Sequence, residues 1–255
     1  MDLGAGYREW APPSGLGGAV ACVWVRVAAN APEPTPTLVL PDACSDLIWS
    51  AGRGVHVAGP DTAPWLSQLD PGGVLVGVRF APGAGGPALR MPLDDLRDQR
   101  VPLDDVVPQL GTALPGDLPP AAALDRLLEI AAAMVSAGPP DLTVQAATRL
   151  LADPHTSVAD ACERVGLSER QLRRRCRQAV GYGPKTLQRI LRFRRFVAWT
   201  DTGPASDLAG IAATAGYADQ AHLTRECRDL AGMTPAALVA RSRSGQGRSH
   251  AMSPL

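Results

Sequence analysis

The sequence predicts an α+β chain in two parts: a β-rich, barrel- or sandwich-like first part and an all-α second part with two helix-turn-helix units. Three observations predict it. Short apolar runs punctuated by Gly and Pro fill residues 16–89, helical periodicity takes over after Pro119, and a helix-turn-helix pattern at Ser157–Pro184 returns about fifty residues later. A chain of 255 residues can bury two modest cores. The expected divisions are 1–118 for a β-rich sensor or regulatory domain, 119–139 for a linker or dimerisation helix, 140–243 for the helical domain and 244–255 for a disordered tail.

In the first part, "GGAVACVWVRV", "PTLVLP", "SDLIWS", "RGVHVAG" and "GGVLVGVRFAPG" read as strands, with Asp70-Pro71-Gly72 as a turn between two of them. "PLDDLRDQ" and "PLDDVVPQL" read as short helices opened by Pro and early acids, which suit the positive end of a helix. In "AAALDRLLEIAAAMVSAG", Leu124, Leu127, Leu128, Ala131, Met134 and Val135 share a face, and Gly138 stops the helix.

Charge divides along the same line. Residues 1–140 carry 8 Arg against 15 acids, a balance of −7; residues 141–255 carry 16 Arg and 1 Lys against 10 acids, a balance of +7. An acidic half joined to a basic half implies different partners for each. The five cysteines are scattered, with no CxxC pair, and no apolar run approaches the ~18 residues of a membrane span. The expectation is a reducing cytoplasm, with no signal segment and no membrane partner.

The repeat carries the most information. "SVADACERVG" (157–166) corresponds to "DLAGIAATAG" (207–216) at an offset of 50. "SERQLRRRCRQAVGYGP" (168–184) corresponds to "DQAHLTRECRDLAGMTP" (219–235) at an offset of 51. The one-residue change falls in a turn, where insertions are tolerated. Ser157 with Asp160, and Ser168 with Gln171, fit capping boxes on both sides of Gly166. Each unit therefore reads as helix, tight turn, second helix.

On the wheel of the first unit's second helix, Leu172, Cys176, Ala179 and Val180 share one face. Arg170, Arg174 and Arg177 lie opposite, with Arg173 on the flank, a stripe of guanidinium forks suited to phosphate oxygens and guanine edges. In the second unit Ala221, Arg225 and Arg228 point outward, bordered by Gln220 and Thr224. "KTLQRILRFRRFVAW" joins the units as a long helix, whose Arg192 and Arg194 are expected at phosphates.

Residues 141–241 resemble the DNA-binding domain of AraC/XylS-type transcriptional regulators. "GYADQAHLTRECRDLAGMTPAALVA" is similar to that family's closing signature: the Gly-aromatic turn, the Gln at the helix start, the Leu-x-Arg step and the Gly-x-Thr-Pro close. The resemblance implies a seven-helix domain whose two recognition helices enter successive major-groove segments. By position, the base-reading candidates are Arg170, Arg173 and Arg174, then Gln220, Ala221, Thr224 and Arg225. Ala221 has little side chain to read with, so the second unit is expected to orient more than to select. Cys176 and Cys227 stand where the family has a large aromatic.

"TLVLPDACSDLIWS" and "VGVRFAPGAGGPAL" resemble a small β-rich domain found ahead of this DNA-binding domain, with Ala43 where Gly is common. Trp24, Asp42, Cys44, Asp46, Trp49 and Arg79 are the candidate ligand-binding residues. By alternation, Cys44, Asp46 and Ile48 share one face of their strand, and Leu47 and Trp49 the other. His56 is the only histidine before residue 155, too few for a metal-dependent cupin-type enzyme. Cys22 and Cys44 are too few for a four-thiolate zinc module. The expectation is a one-component regulator, not an enzyme, with no cofactor. Its partners would be an operator, a small-molecule effector, RNA polymerase if it activates, and a second copy. The rivals are a cupin-type enzyme fused to a DNA-binding domain and a ligand-independent regulator under a protein partner.

Overall fold

The computed structural model describes residues 4–34, 36–108, 114–115, 117–202 and 208–243; the tail expected at 244–255 lies outside them. Among the described residues, an antiparallel sheet runs in the order β1 (Gly6–Trp10), β2 (Val20–Val27), β7 (Val74–Phe80), β4 (Ser45–Ser50), β5 (Gly54–Ala58) and β8 (Arg100–Pro102). Two more strands, β3 (Thr37–Val39) and β6 (Trp65–Ser67), pair as a small second sheet. The large sheet is open at β1 and β8, so the first part is sandwich-like and no closed barrel forms. Those two edge strands fall outside the 16–89 window expected to hold the strands. Both are short and carry charge, as exposed edges do.

Period-two alternation gives the sheet two different faces. Val23, Val25, Leu47, Trp49, Val76, Val78 and Phe80 are buried in one core. That core is closed by α3 (Pro120–Ala137), through Ala123, Leu127, Ala131 and Met134. Residues 119–139, expected to be a linker or dimerisation helix, are thus mainly a layer of the N-terminal core. Their apolar stripe had an internal surface to cover. The short helices expected after Pro92 and Pro102 appear as a 3-10 turn at Leu93–Leu96 and as α2 (Leu103–Val106). An extra short helix, α1 (Gly85–Leu89), forms from "GGPAL", whose local composition signals only a turn.

The helical part comprises α4 (Leu142–Leu151), α5 (Val158–Val165), α6 (Glu169–Val180), α7 (Pro184–Thr202), α8 (Leu208–Ala215), α9 (Gln220–Ala231) and α10 (Pro235–Arg243). The repeat appears as two units, α5–α6 and α8–α9, and both capping boxes of the first unit are formed. The connecting helix α7 is central, with Leu187, Ile190, Phe193 and Phe196 fully buried. Cys176 and Cys227 are buried in the same core, and Tyr182, Phe193, Phe196 and Tyr217 supply its aromatic volume instead. Burial pushes both thiols up to about 12, which disfavours the thiolate.

The two parts are closely apposed. The Asp141 N–H donates to the Gly83 carbonyl at 3.0 Å, and the Gln145 side-chain amide donates to the Gly18 carbonyl. α1 crosses α6 so tightly that a Cβ on Gly86 would lie 2.0 Å from the Gln178 carbonyl oxygen, an approach only glycine allows. Ala43, from the turn before β4, is 2% exposed and belongs to the helical core, against which Leu40 also packs, while Asp42 and Cys44 on either side of it line a cavity on the sheet.

A fragment ending at residue 118 would strip the α3 layer from the apolar face of the sheet. It should aggregate or unfold without a cooperative transition, whereas residues 1–139 should give a soluble species with a sigmoidal melt by circular dichroism. Equally cooperative melts from both fragments would show that α3 is not a core layer.

Candidate nucleic-acid interface and effector cavity

The recognition face begins with two caps. The Ser168 hydroxyl accepts from the Gln171 N–H, and the Gln171 side chain accepts from the Ser168 N–H, which fixes where α6 starts. Asp219 does the same for α9 by accepting from the His222 N–H at 2.6 Å. From these starts the 3.6-residue period buries Leu172, Cys176, Leu223 and Cys227 and leaves Arg170, Arg173, Arg174, Gln220, Ala221 and Arg225 exposed. Thr224 is half-buried and its hydroxyl donates back to the Gln220 carbonyl at 2.8 Å, so its methyl is its free surface. Arg228 is exposed as well.

Three of the expected contacts sit differently. Arg177 is 53% exposed on its side chain, but its Nε and one terminal nitrogen donate to Asp94 of the N-terminal part at 2.8 and 2.6 Å. Arg194 is 7% exposed, and its charge acts on Cys44 and Tyr182 inside the protein. It follows Leu187 by seven residues and Ile190 by four, so it falls on the buried stripe of α7. A phosphate cannot reach it there. Arg192 is half-buried with its guanidinium 5.6 Å from the centre of the Tyr217 ring, a cation–π arrangement rather than a surface fork.

The sheet face away from α3 borders a cavity of about 540 Å³. Its wall carries Trp24 and Arg26 from β2, Asp46, Ile48 and Ser50 from β4, His56 from β5 and Arg79 from β7; β3 and β6 roof it with Thr37, Val39, Trp65 and Ser67. Asp42 and Cys44 line it from the turn before β4. Five of the six candidate ligand residues therefore converge. Trp49 does not: it is 1% exposed on the α3 face, and its indole N–H donates to the Pro115 carbonyl at 3.3 Å. Alternation had already separated it from Asp46.

The cavity charges are organised in pairs. Arg79 reaches Asp42 at 3.3 Å and Asp46 at 3.1 Å, and the Trp24 indole N–H donates to Asp46 at 2.7 Å. Burial raises the Asp46 pKa above the usual carboxylate range, against the pull of Arg79. Burial also opposes the charge on Arg79, but Asp46 and Asp42 outweigh it and push that pKa up, so the cation is firmly held. Arg100 grips Asp61 with two nitrogens at 2.7 and 2.6 Å and lies 5.0 Å from the Trp65 ring centre. Arg26 donates to the Ser67 hydroxyl at 3.0 Å, and burial depresses its pKa. Sequence reading missed Arg26, Asp61, Trp65 and Arg100. The first had a usable signal, a charged residue two places from Trp24 in an otherwise apolar strand. Among the described residues no group of three His, Cys, Asp or Glu side chains could hold a metal ion.

Two family models match separate parts of the chain. Residues 161–241 match a family described as a helix-turn-helix domain, and residues 8–102 match a domain of unknown function, DUF6597. The matched helical segment begins within α5 and takes in α6, the connecting helix α7, α8 and α9. The C-terminal part is an AraC-type helix-turn-helix domain. That match supports a DNA-binding role for this part of the chain. No curated protein matches the chain. Solved structures of ToxT from Vibrio cholerae overlap it: one covers 86% of this chain and 98% of its own at 12% identity with a TM-score of 0.44. Another, from strain SCE256 with an unsaturated fatty acid bound, covers 85% and 94% at 13% identity with a TM-score of 0.42. Likeness at that level carries no residue-level inference. Among the described residues no helix is long and apolar enough to cross a membrane.

The Arg177–Asp94 contact leads to a specific expectation. Asp94→Asn removes the carboxylate that competes with DNA for Arg177, at little cost in stability because Arg177 is half-exposed. The AraC-type domain should then bind all DNA sequences more tightly, with a salt slope steeper by about one counterion, measured by fluorescence anisotropy across a salt series. An unchanged slope would mean that Arg177 does not reach phosphate even when released.

Proposed function

We propose that this chain is a one-component regulator in which residues 140–243 bind a specific operator and residues 1–139 bind a small-molecule effector. The observation that carries the effector half is continuity. Asp42 and Cys44 line the cavity, and Ala43 between them is buried in the core of the AraC-type domain. Tyr182, two residues after α6 ends, is buried within electrostatic reach of Asp42 and Cys44. A molecule that shifts Asp42 therefore acts directly on the helical core. The cavity suits a compact ligand with apolar surface and at least one charged or hydrogen-bonding group, because aromatic walls alternate with fixed ion pairs.

On the DNA side, α6 supplies Arg170, Arg173 and Arg174, and α9 supplies Gln220 and Arg225. The exposed guanidiniums of Arg174 and Arg225 hold matching places in the two units, fifty-one residues apart. They are assigned to different base pairs about one duplex turn, ~10 bp, apart. A thermal-shift screen of the full chain against small metabolites tests the effector half, since a ligand at ~100 times its Kd adds about 2.7 kcal/mol.

Binding to a randomised DNA library tests the operator half. Arg174→Ala should cost about 1–3 kcal/mol at its preferred site and relax the base requirement at one segment, and Arg225→Ala should do so at the other. Equal weakening of every sequence by Arg174→Ala would make it a phosphate clamp. If neither variant alters binding, the recognition-helix assignment is wrong.

A further inference from the structure

The arginines of α7 hold helices together. Arg189 donates to Glu226 and Asp229 of α9, each at 2.6 Å. Arg195 donates from one terminal nitrogen to the Ala215 carbonyl at 2.8 Å and from the other to the Ala152 carbonyl. Ala215 is the last residue of α8, and Ala152 caps the C-terminal end of α4. Both oxygens lie at helix ends, where carbonyls lack intrahelical donors and the backbone dipoles leave partial negative charge. One planar cation thus bridges the helix that precedes the first unit and the helix that opens the second.

Two further contacts converge on the same loop. The Gln188 side-chain amide donates to the Thr156 carbonyl at 2.7 Å, which ties α7 to the segment between α4 and α5. Gly216, the turn glycine of the second unit at φ 87°, is so close to that segment that a Cβ would lie 2.5 Å from Pro154 Cβ. The second unit's turn is therefore seated on the first unit's entry loop.

We propose that Arg195 is a positioning residue that sets the spacing and rotational phase between α6 and α9, and with them the number of base pairs between the two segments the chain reads. The inference rests on both helices reading DNA, as proposed above. Inserting one base pair displaces the second segment by about 3.4 Å along the duplex and turns it by roughly 35°, so a rigid pair of helices tolerates few spacings. Lysine cannot replace the bridge, because its compact ammonium lacks the planar fork that spans two carbonyls.

The experiment uses the full-length chain. A preferred site is selected from a random DNA library, its two segments are located by footprinting, and variants with one or two base pairs added or removed between them are bound at fixed salt. The wild type should lose roughly tenfold in affinity per displaced base pair, comparable to a mismatched position. Arg195→Met and Arg195→Lys should flatten that profile, with affinity at the changed spacings approaching that at the original. Gln188→Leu, which removes an independent tie, should flatten it in part and keeps the test open if an Arg195 variant does not fold.

Uniform loss at every spacing would mean a merely structural role and would overturn the proposal. So would a wild-type profile in the variants. A selected site with one segment only would instead sink the two-helix reading itself, which separates that failure from failure of the clamp.

Discussion

The architecture depends on one turn whose centre enters the helical core while its two ends line the cavity on the sheet. Ala43 adopts φ 69°, a left-handed conformation that costs an L-residue about 1–2 kcal/mol. The turn is held by the Cys44 N–H, which donates to the Asp42 carboxylate at 2.9 Å, and by the Asp42–Arg79 ion pair. The buried methyl offsets part of the strain, about 0.8 kcal/mol by the usual value for one carbon. A glycine would relieve the backbone and leave a void in the helical core. Alanine at this place ties sheet and helices together, and the backbone persists in a strained region because both sides determine it.

Electrostatics then link the cavity to the helical part. Three buried or half-buried guanidiniums and three carboxylates would be costly in a dry site, and they persist because they are paired and hydrogen-bonded. The Arg79 cluster stands on the central strand β7 and touches the turn directly through Asp42; the Arg100–Asp61 pair joins the edge strand β8 to the loop after β5, and Asp61 acts electrostatically on both Asp42 and Tyr182. A ligand that competes for Arg79 acts on the turn directly, and one that competes for Arg100 acts on it through Asp61. Any such coupling works in both directions, since an effector that alters DNA affinity must itself be bound differently by the DNA complex.

Much of this was legible in the sequence because it is local. Capping boxes, turn glycines and the duplicated period specified α5, α6, α8 and α9, and alternation placed Asp46 and Trp49 on opposite sheet faces. What was not legible is tertiary. Whether α3 covers a sheet or joins two domains depends on what its stripe meets, and the stripe reads the same in both cases. The burial of Arg194 follows from α7 having neighbours on nearly every side, although an arginine pattern alone suggests solvent. Arg177 looked equivalent to Arg174 on the helical wheel, but Asp94, 83 residues away in sequence, makes them different. Arg100 and Asp61 lie 39 residues apart and meet only when β8 adds to the sheet edge.

The most direct test of the account is amide hydrogen exchange of the full chain, with and without an excess of its selected operator. Because Ala43 is seated in the helical core, operator binding should change exchange in residues 40–46 and in β7 around Arg79, far from any recognition side chain, as well as in α6 and α9. Changes confined to α6 and α9, with residues 40–46 exchanging at the same rate in both states, would show that the cavity and the DNA face are not coupled through this turn.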